Sequence, residues 1–377
     1  MSFNLSYKKY ETKFLYKDLD YKNYNVEKKY YPYFIIIPVY NELEYITHTL
    51  ESINEQDQEL LNHLLVILVI NNSSMESKKI IDENYKTHKL IEKNKYNFEY
   101  IILDCYSKSQ AINKKYFGVG LARKIGFDFA VQYSKKNSLF FSLDADTLIS
   151  STYLKTIINF YQDTMFHACT VNFKHQKSKD SLINKGIRIY EKQLLKIAKK
   201  IRSCDSPYGY VSMGSAIICT AEAYILIGGM PKRKAGEDFY FLQSLAKYTK
   251  IHFIDKILVH PSSRSEQRVH LGTGYRMKEF LETKKFNNLF FSDSTFYEIK
   301  KFISIATNNY KCSYRDLNKE LIQNLGDNIC NFLNENSFEK VWIKISLNSK
   351  TKKQFMVFFH QWFDALKIMQ LLKRISE

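Results

Sequence analysis

The sequence has little of the chemistry that staples small secreted domains. Its six cysteines (Cys105, Cys169, Cys204, Cys219, Cys312, Cys330) are scattered, with no Cys-x-x-Cys pair. Neither a disulfide framework nor a zinc site is implied, and a reducing cytoplasm is the expected setting. Long hydrophobic runs are also missing. The longest, around Phe34–Ile37 and Leu64–Ile70, fall far short of the ~20 residues a membrane-spanning helix needs, and they read as buried strands. The first thirty residues mix Lys, Asp, Glu and Tyr without the apolar core of a secretory signal. Zinc-finger, helix-turn-helix and RNP-type aromatic signatures are absent, which argues against the common nucleic-acid modules. Acid is in deficit as well: 39 Asp and Glu face 56 Lys and Arg, a formal net charge of +17. That excess favours anionic partners (nucleotide phosphates, an anionic membrane surface or nucleic acid), with most of the lysines read as solvated surface.

What is present is a large globular chain. With 377 residues and 45% hydrophobic content it can bury a sizeable core in one or two domains. From Phe34 onward, short apolar runs alternate with helical stretches, the pattern of a parallel sheet flanked by helices. Strands are expected at Phe34–Pro38, Leu64–Ile70, Glu99–Leu103 and Leu139–Leu143, with helices at Leu43–Ile53, Met75–Glu92 and Val119–Tyr133. Further on come a helix near Tyr153–Tyr161, a strand near Ala168–Phe173 and a basic amphipathic helix near Leu182–Ile201. Two strands, Ile251–Ile254 and Ile257–His260, close this region. Helical patterning dominates from about Tyr275.

The most informative motif is Asp144-Ala145-Asp146, directly after the apolar Leu139-Phe140-Phe141. Two carboxylates two residues apart at a strand end point to the same side and suit a hard divalent cation shared with nucleotide phosphates. The same spacing in Asp18-Leu19-Asp20 lies in a polar stretch with no strand before it, so context separates the two. Pro38-Val39-Tyr40-Asn41-Glu42 and Asn71-Asn72 likewise follow strands. In such sheets ligands bind outside the carboxyl ends, which places all three features on one edge. Glu237-Asp238 opens a helix after Gly236; carboxylates also serve simply as good helix-start residues. Arg123 sits one turn into the Gly118–Gly126 helix, in reach of a phosphate or of an acid on the sheet edge. Gly118 and Gly120 read as permitting close helix–strand packing. Arg264, Arg268 and Arg276 surround Gly272-Thr273-Gly274, a basic loop able to close over a diphosphate, or a plain surface loop.

Pro38–Glu42, Asp144/Asp146, Glu237-Asp238 and the Gly118–Gly126 segment occur in an order and spacing that resemble a family 2 glycosyltransferase of the GT-A fold, over roughly Phe34 to Arg276. The resemblance implies an α/β, Rossmann-like mixed, mostly parallel sheet flanked by helices. It divides the chain into an N-terminal arm (1–32), a catalytic domain (33–275) and a helical C-terminal extension (276–377). It implies a metal-dependent, non-processive, inverting transfer of a sugar from a nucleotide-sugar donor to a hydroxyl acceptor, as in cell-surface polysaccharide or glycolipid synthesis. Under it Asp146 is the direct ligand of Mn²⁺ or Mg²⁺, and Asp144 contacts ribose or a metal-bound water. His260 is a candidate further ligand, in which case imidazole favours Mn²⁺. Asp238 is the general base, with Glu237 the second choice. Pro38, Tyr40, Glu42, Asn71, Asn72, Arg123, Asp144, Arg264 and Arg268 make up the nucleotide-sugar site. Two departures stand out. Asn71 and Asn72 occupy positions where relatives often carry Asp, and the Gln-x-x-Arg-Trp motif of processive synthases is missing.

Three other readings compete: a retaining GT-A enzyme, a nucleotidyltransferase, and a non-enzymatic basic nucleic-acid-binding protein. The nucleotidyltransferase would normally carry a Gly-rich basic loop after its first strand, and here that loop has neither Gly nor Lys. The aromatic run from Phe355 to Phe363 reads as a helix packed on the protein, and alternatively as an interfacial helix touching anionic lipid. A cytoplasmic protein, peripheral at most to the inner face of the cell membrane, is expected.

Overall fold

The computed structural model describes residues 3–265 and 272–376. An eight-stranded mixed sheet carries the α/β part, in the order β3-β2-β1-β4-β7-β6-β8-β5. Its strands are β1 (Tyr31–Val39), β2 (Leu64–Asn71), β3 (Glu99–Cys105), β4 (Ser134–Ser142), β5 (Leu148–Ile149), β6 (Ala168–Phe173), β7 (Ile217–Thr220) and β8 (Ile251–His260). Four of the seven pairings are parallel, so the expected mixed, mostly parallel architecture is present. Residues Leu64–Asn71 are buried throughout, because a parallel strand covered on both faces has no solvated side to alternate toward. β8 is one strand where two were expected, since the register irregularities near Asn172 let it continue past Asp255-Lys256.

The helices in the first part of the chain are α1 (Phe3–Lys13), α2 (Ile46–Asn54), α3 (Gln58–Leu61), α4 (Lys78–Lys93), α5 (Val119–Gln132), α6 (Tyr153–Thr164), α7 (Ser181–Ser203), α8 (Ala221–Leu226), α9 (Glu237–Tyr248) and α10 (Thr273–Thr283). β1 runs parallel to β2 and to β4 in the registers Phe34↔Leu65 and Phe34↔Phe140. The carboxyl ends of these three strands therefore share one edge of the sheet. In Asp18-Leu19-Asp20 the Asp20 carboxylate caps a short 3₁₀ turn, accepting from the Lys22 amide.

The glycines of α5 have different jobs from the one expected. Only Gly126 faces strands: a Cβ there would lie 2.6 Å from Ile36 Cγ2 and 3.0 Å from Val69 Cγ2. Gly118 and Gly120 instead face the backbone of the segment Pro231–Lys234, where a Cβ at Gly118 would lie 2.6 Å from Lys234 Cα. These two glycines bring the start of α5 against the loop that leads into α9.

The N-terminal arm is packed on. Asp128 on α5 is fully buried and accepts from Tyr10 of α1 at 2.5 Å, Tyr224 at 2.8 Å and the Tyr16 amide at 2.7 Å, and it pairs with Lys124 at 3.0 Å. A buried ion pair with every oxygen satisfied is sensitive to loss of one partner rather than to its presence. Gly229, at φ +81°, leaves room for the two tyrosines, since a Cβ there would press on Tyr224 at 3.0 Å.

Two compact units divide the chain: Met1–Ile187 with Ser212–Glu282, and Arg188–Val211 with Thr283–Glu377. The second is helical, built from the later turns of α7 and from α11 (Asp293–Asn308), α12 (Tyr314–Asn324), α13 (Asp327–Glu335), α14 (Phe338–Asn348), α15 (Lys352–Trp362) and α16 (Ala365–Ser376). Ser292, Ser313 and Thr351 cap α11, α12 and α15 through their side-chain oxygens. Its centre is aromatic: Phe302 packs edge-on against Phe338 and Phe363, and Trp342 donates to the Cys312 carbonyl at 3.1 Å. The run from Phe355 supplies this core, with Phe355, Phe359 and Phe363 fully buried. Among the described residues no helix is long and apolar enough to cross a membrane.

Replacing Asp128 with Ala leaves the Lys124 ammonium unpaired inside the protein. We expect a loss of about 3–5 kcal/mol in unfolding free energy, read from urea denaturation. A change below about 1 kcal/mol would mean that the arm is not held by this cluster.

Candidate active site

The site is built where β1 and β4 end. The turn carrying Asp144 and Asp146 is held by the Leu143 amide bonded to the Ile36 carbonyl at 3.1 Å and by Thr49 Oγ1 donating to the Ala145 carbonyl at 2.8 Å. These bonds fix two carboxylates on a rigid frame, Asp144 half-buried and Asp146 more deeply so.

Arg123 is the hub. Its guanidinium is buried, donates to Ser142 Oγ at 2.6 Å and to Glu237 at 3.1 Å, and pairs with Asp144. Ser215 donates to the other Asp144 oxygen and lies 2.9 Å from Thr147 Oγ1. Gly214 makes room for this cluster, because a Cβ there would collide with the guanidinium. Burial opposes the charge on Arg123, but Asp144 and Glu237 more than offset it, so its pKa is raised. Strand β4, the 3₁₀ turn at Gly214–Ala216 and the head of α9 thus meet at one cation.

A second cation, Arg264, joins β1 to the Asp144–Asp146 turn. Its guanidinium forms a two-pronged pair with Glu42 at 3.0 and 2.6 Å and reaches Asp146 at 2.7 Å, lying over the Tyr45 ring. Burial, then the Asp146 charge, pushes the Glu42 carboxyl up against the pull of Arg264. Burial likewise raises Asp146 to about 6. Asp238 accepts from the Phe239 amide at 2.7 Å, and burial with the adjacent Glu237 raises it to about 7.

The remaining candidates divide. Tyr40 donates to Glu76 at 3.0 Å and packs on Phe117, next to Pro38 at the end of β1. Asn71 donates to the carbonyls of Val39 at 2.9 Å and Val69 at 3.0 Å. Asn72 is fully buried, donates to Ser73 and Tyr106 carbonyls, and accepts from Asn84 at 3.0 Å. These amides brace the strand ends from within. His260 turns Nδ1 toward the Lys174 carbonyl, 2.9 Å away. His175 is buried, and the Thr273 hydroxyl lies 3.5 Å from its Nε2. Arg268 lies outside the described residues.

Sequence reasoning missed Ser142, Ser215, Gln176, Tyr45 and His175. Gln176 bonds the carbonyls of both Asp146 and His260, at 2.9 and 2.8 Å. Single polar residues without periodicity carry no signal until the fold closes around them. Ser215 alone had a hint, in the Met213-Gly214-Ser215 run.

Comparison with known proteins agrees with the motifs. Residues 34–93 match the family model described as Glycosyl transferase family 2. That stretch is similar to family 2 glycosyltransferases. It contains Pro38–Glu42 and Asn71-Asn72, so the resemblance read from the residues is borne out there. No curated protein matches the chain. Among solved structures, residues 1–349 of TarS from S. aureus are 17% identical, with 77% of each chain covered and a TM-score of 0.40. TarS 1–349 in complex with UDP-GlcNAc is 14% identical, covering 90% of this chain and 89% of that one, with a TM-score of 0.42. The mannosyltransferase PcManGT from Pyrobaculum calidifontis, in complex with GDP-Man and Mn²⁺, is 13% identical, with 95% of each chain covered and a TM-score of 0.43.

In this site five carboxylates (Glu42, Asp144, Asp146, Glu237, Asp238) face two guanidiniums. Among the described residues no three His, Cys, Asp or Glu side chains are grouped to hold a metal ion. The donor chemistry nonetheless fits a Mg²⁺-like cation, which takes one or two carboxylates and completes its shell with water and phosphate.

Replacing Arg123 with Met strands Asp144 and Glu237, and we expect a loss of about 3–5 kcal/mol in unfolding free energy. Gly214→Ala displaces the guanidinium without removing it and is expected to cost about 1–3 kcal/mol. Denaturation in urea checks the order; equal stability of Arg123→Met and the parent would remove Arg123 as the hub.

Proposed function

We propose that this glycosyltransferase is metal-dependent, non-processive and inverting, moving a sugar from a nucleotide-sugar donor to a hydroxyl acceptor. The observation that carries the reading is the Asp144–Arg123–Glu237 bridge, which ties the strand-end acid pair to the acid pair that opens α9. That shared guanidinium supports a reading in which the two acid pairs serve the donor and acceptor sides of one displacement.

Transfer needs charge neutralised on the departing diphosphate and a proton removed from the acceptor. An acid-rich edge repels a diphosphate unless further positive charge arrives with it, and this supports a divalent cation. Asp146 and Asp144 would hold it, and when bound it supplies Lewis-acid neutralisation of the phosphate oxygens. His260 is the proposed further ligand, and Arg268 and Arg264 the proposed contacts to donor phosphate. Pro38, Tyr40, Glu42, Asn71 and Asn72 would shape the nucleotide pocket. Asp238 takes the acceptor proton while the acceptor oxygen bonds the anomeric carbon and the bond to the diphosphate oxygen breaks, its electron pair leaving with phosphate. Arg123 ties Glu237 in an ion pair, which leaves Asp238 as the proposed base.

The test is a sugar-nucleotide panel assayed by thermal shift with and without Mn²⁺, since a ligand binding only the folded state raises apparent stability. Asp146→Asn should lose the Mn²⁺-dependent shift. Asp238→Asn should keep it and lose about 10²–10⁴ in transfer rate. A normal shift in folded Asp146→Asn would remove the metal claim.

The pKa of Asp238 sets a pH dependence. A base works unprotonated, so the rate should fall roughly tenfold per pH unit below about 7 and level off above it. A rate flat from pH 5 to 8 would exclude Asp238 as the base.

A further inference from the structure

The helical unit of Arg188–Val211 and Thr283–Glu377 holds a surplus of ten positive charges out of the protein's +17, in less than a third of its residues. Within it, α14 is divided sharply. Phe338, Trp342 and Ile345 point into the core. At about 100° per residue, Lys340, Ile343, Lys344 and Leu347 fall within one arc of about 100° on the opposite side. All four are exposed, Ile343 by 46% and Leu347 by 82%. Beyond the helix, Lys350, Lys352 and Lys353 are exposed too, as is Val357, by 46%, one turn after Lys353 on α15. Glu339 is the single acid between residues 338 and 353. Among the described residues no ion pair engages these five lysines.

The terminal aromatic run follows the first of its two readings, packing, and does so within the helical unit itself. Phe355, Phe359, Phe363, Ile368, Leu371 and Leu372 are all fully buried and build the unit's own core, so they have no face to give a membrane. What remains in water is a set of branched aliphatic side chains among flexible ammonium groups.

We propose that the Lys340–Leu347 face of α14, with Lys350, Lys352 and Lys353, docks on an anionic lipid bilayer. Lysine stems can lie along the interface with their heads at lipid phosphates, while Leu347 and Ile343 enter the acyl boundary. Attraction to anionic headgroups adds to the apolar burial and decays within a Debye length. Nucleic acid would satisfy the lysines but gives Leu347 nowhere to be buried. The proposal is independent of the transferase reading.

The experiment is co-sedimentation of the full chain with vesicles of phosphatidylcholine alone and with one third phosphatidylglycerol, at low and high salt. Binding only to the anionic vesicles, weakened by salt, is expected. Each lysine near the surface contributes about a fivefold gain in partitioning, so Lys340→Gln with Lys344→Gln should lower it about 25-fold. Leu347→Ser should lower it further and remove whatever binding survives high salt. Lys78→Gln with Lys79→Gln, an equal loss of charge on exposed positions of α4, should change it less than about twofold. Thermal melts confirm that each variant is folded. No binding to anionic vesicles at low salt, or an equal drop in the α4 control, overturns the proposal. So does retention by duplex DNA that exceeds retention by vesicles and is indifferent to Leu347→Ser.

Discussion

The candidate site depends on one buried cation. Arg123 joins the end of β4, the Gly214 turn and the head of α9, three segments far apart in sequence, through Ser142, Asp144 and Glu237. A guanidinium suits this place because its fork of donors can serve three acceptors at fixed angles and it does not lose its proton on burial. The surroundings are shaped to admit it. Gly214 vacates space beside it, and Gly118 and Gly120 let the start of α5 meet the Pro231–Lys234 segment that leads into α9. On the next residue of the same helix, Lys124 points to the Asp128 cluster and the N-terminal arm. One turn of α5 therefore anchors both the site and the arm.

The electrostatics follow from that construction. Acids outnumber guanidiniums at the sheet edge, and burial holds Asp146 and Asp238 near neutrality in pKa rather than at ordinary carboxylate values. Arg264 shares itself between Glu42 and Asp146, standing where positive charge is most needed. Such an edge stores a demand for cations, which suits a ligand that brings both a diphosphate and a metal. Asp238 lacks the guanidinium bond that Glu237 has and accepts instead from the Phe239 amide.

Much of this was legible in the chain. The parallel core strands announced themselves as short, β-branched apolar runs, and β6 was read to the residue at Ala168–Phe173 because burial on both faces leaves no ambiguity. The Asp144–Asp146 pair was separable from Asp18–Asp20 because only one follows an apolar strand. The family segment at residues 34–93 carries its motif at strand ends, where backbone geometry alone fixes side-chain direction. By contrast, β8 was split in two because Asp255-Lys256 interrupts the apolar pattern, while irregular register lets the strand continue.

By itself the sequence determined what local periodicity and strand-end position can encode: the α/β class, the ligand-bearing edge, the acids set there and the helical C-terminal part. Tertiary structure decided which groups meet. Arg123 could have faced phosphate or acid; folding gave it Asp144, 21 residues on, and Glu237, 114 residues on. His260 and Asp146 lie far apart in the sequence, and folding ties their backbones together through Gln176, which donates to both carbonyls, while Nδ1 of His260 meets the Lys174 carbonyl. Asn71 and Asn72 became internal braces because buried amides must spend their donors on whatever carbonyls lie closest. The aromatic end of the chain went inside, and α14 kept its aliphatic face outside, since only the packed helices settle which stripe finds a partner.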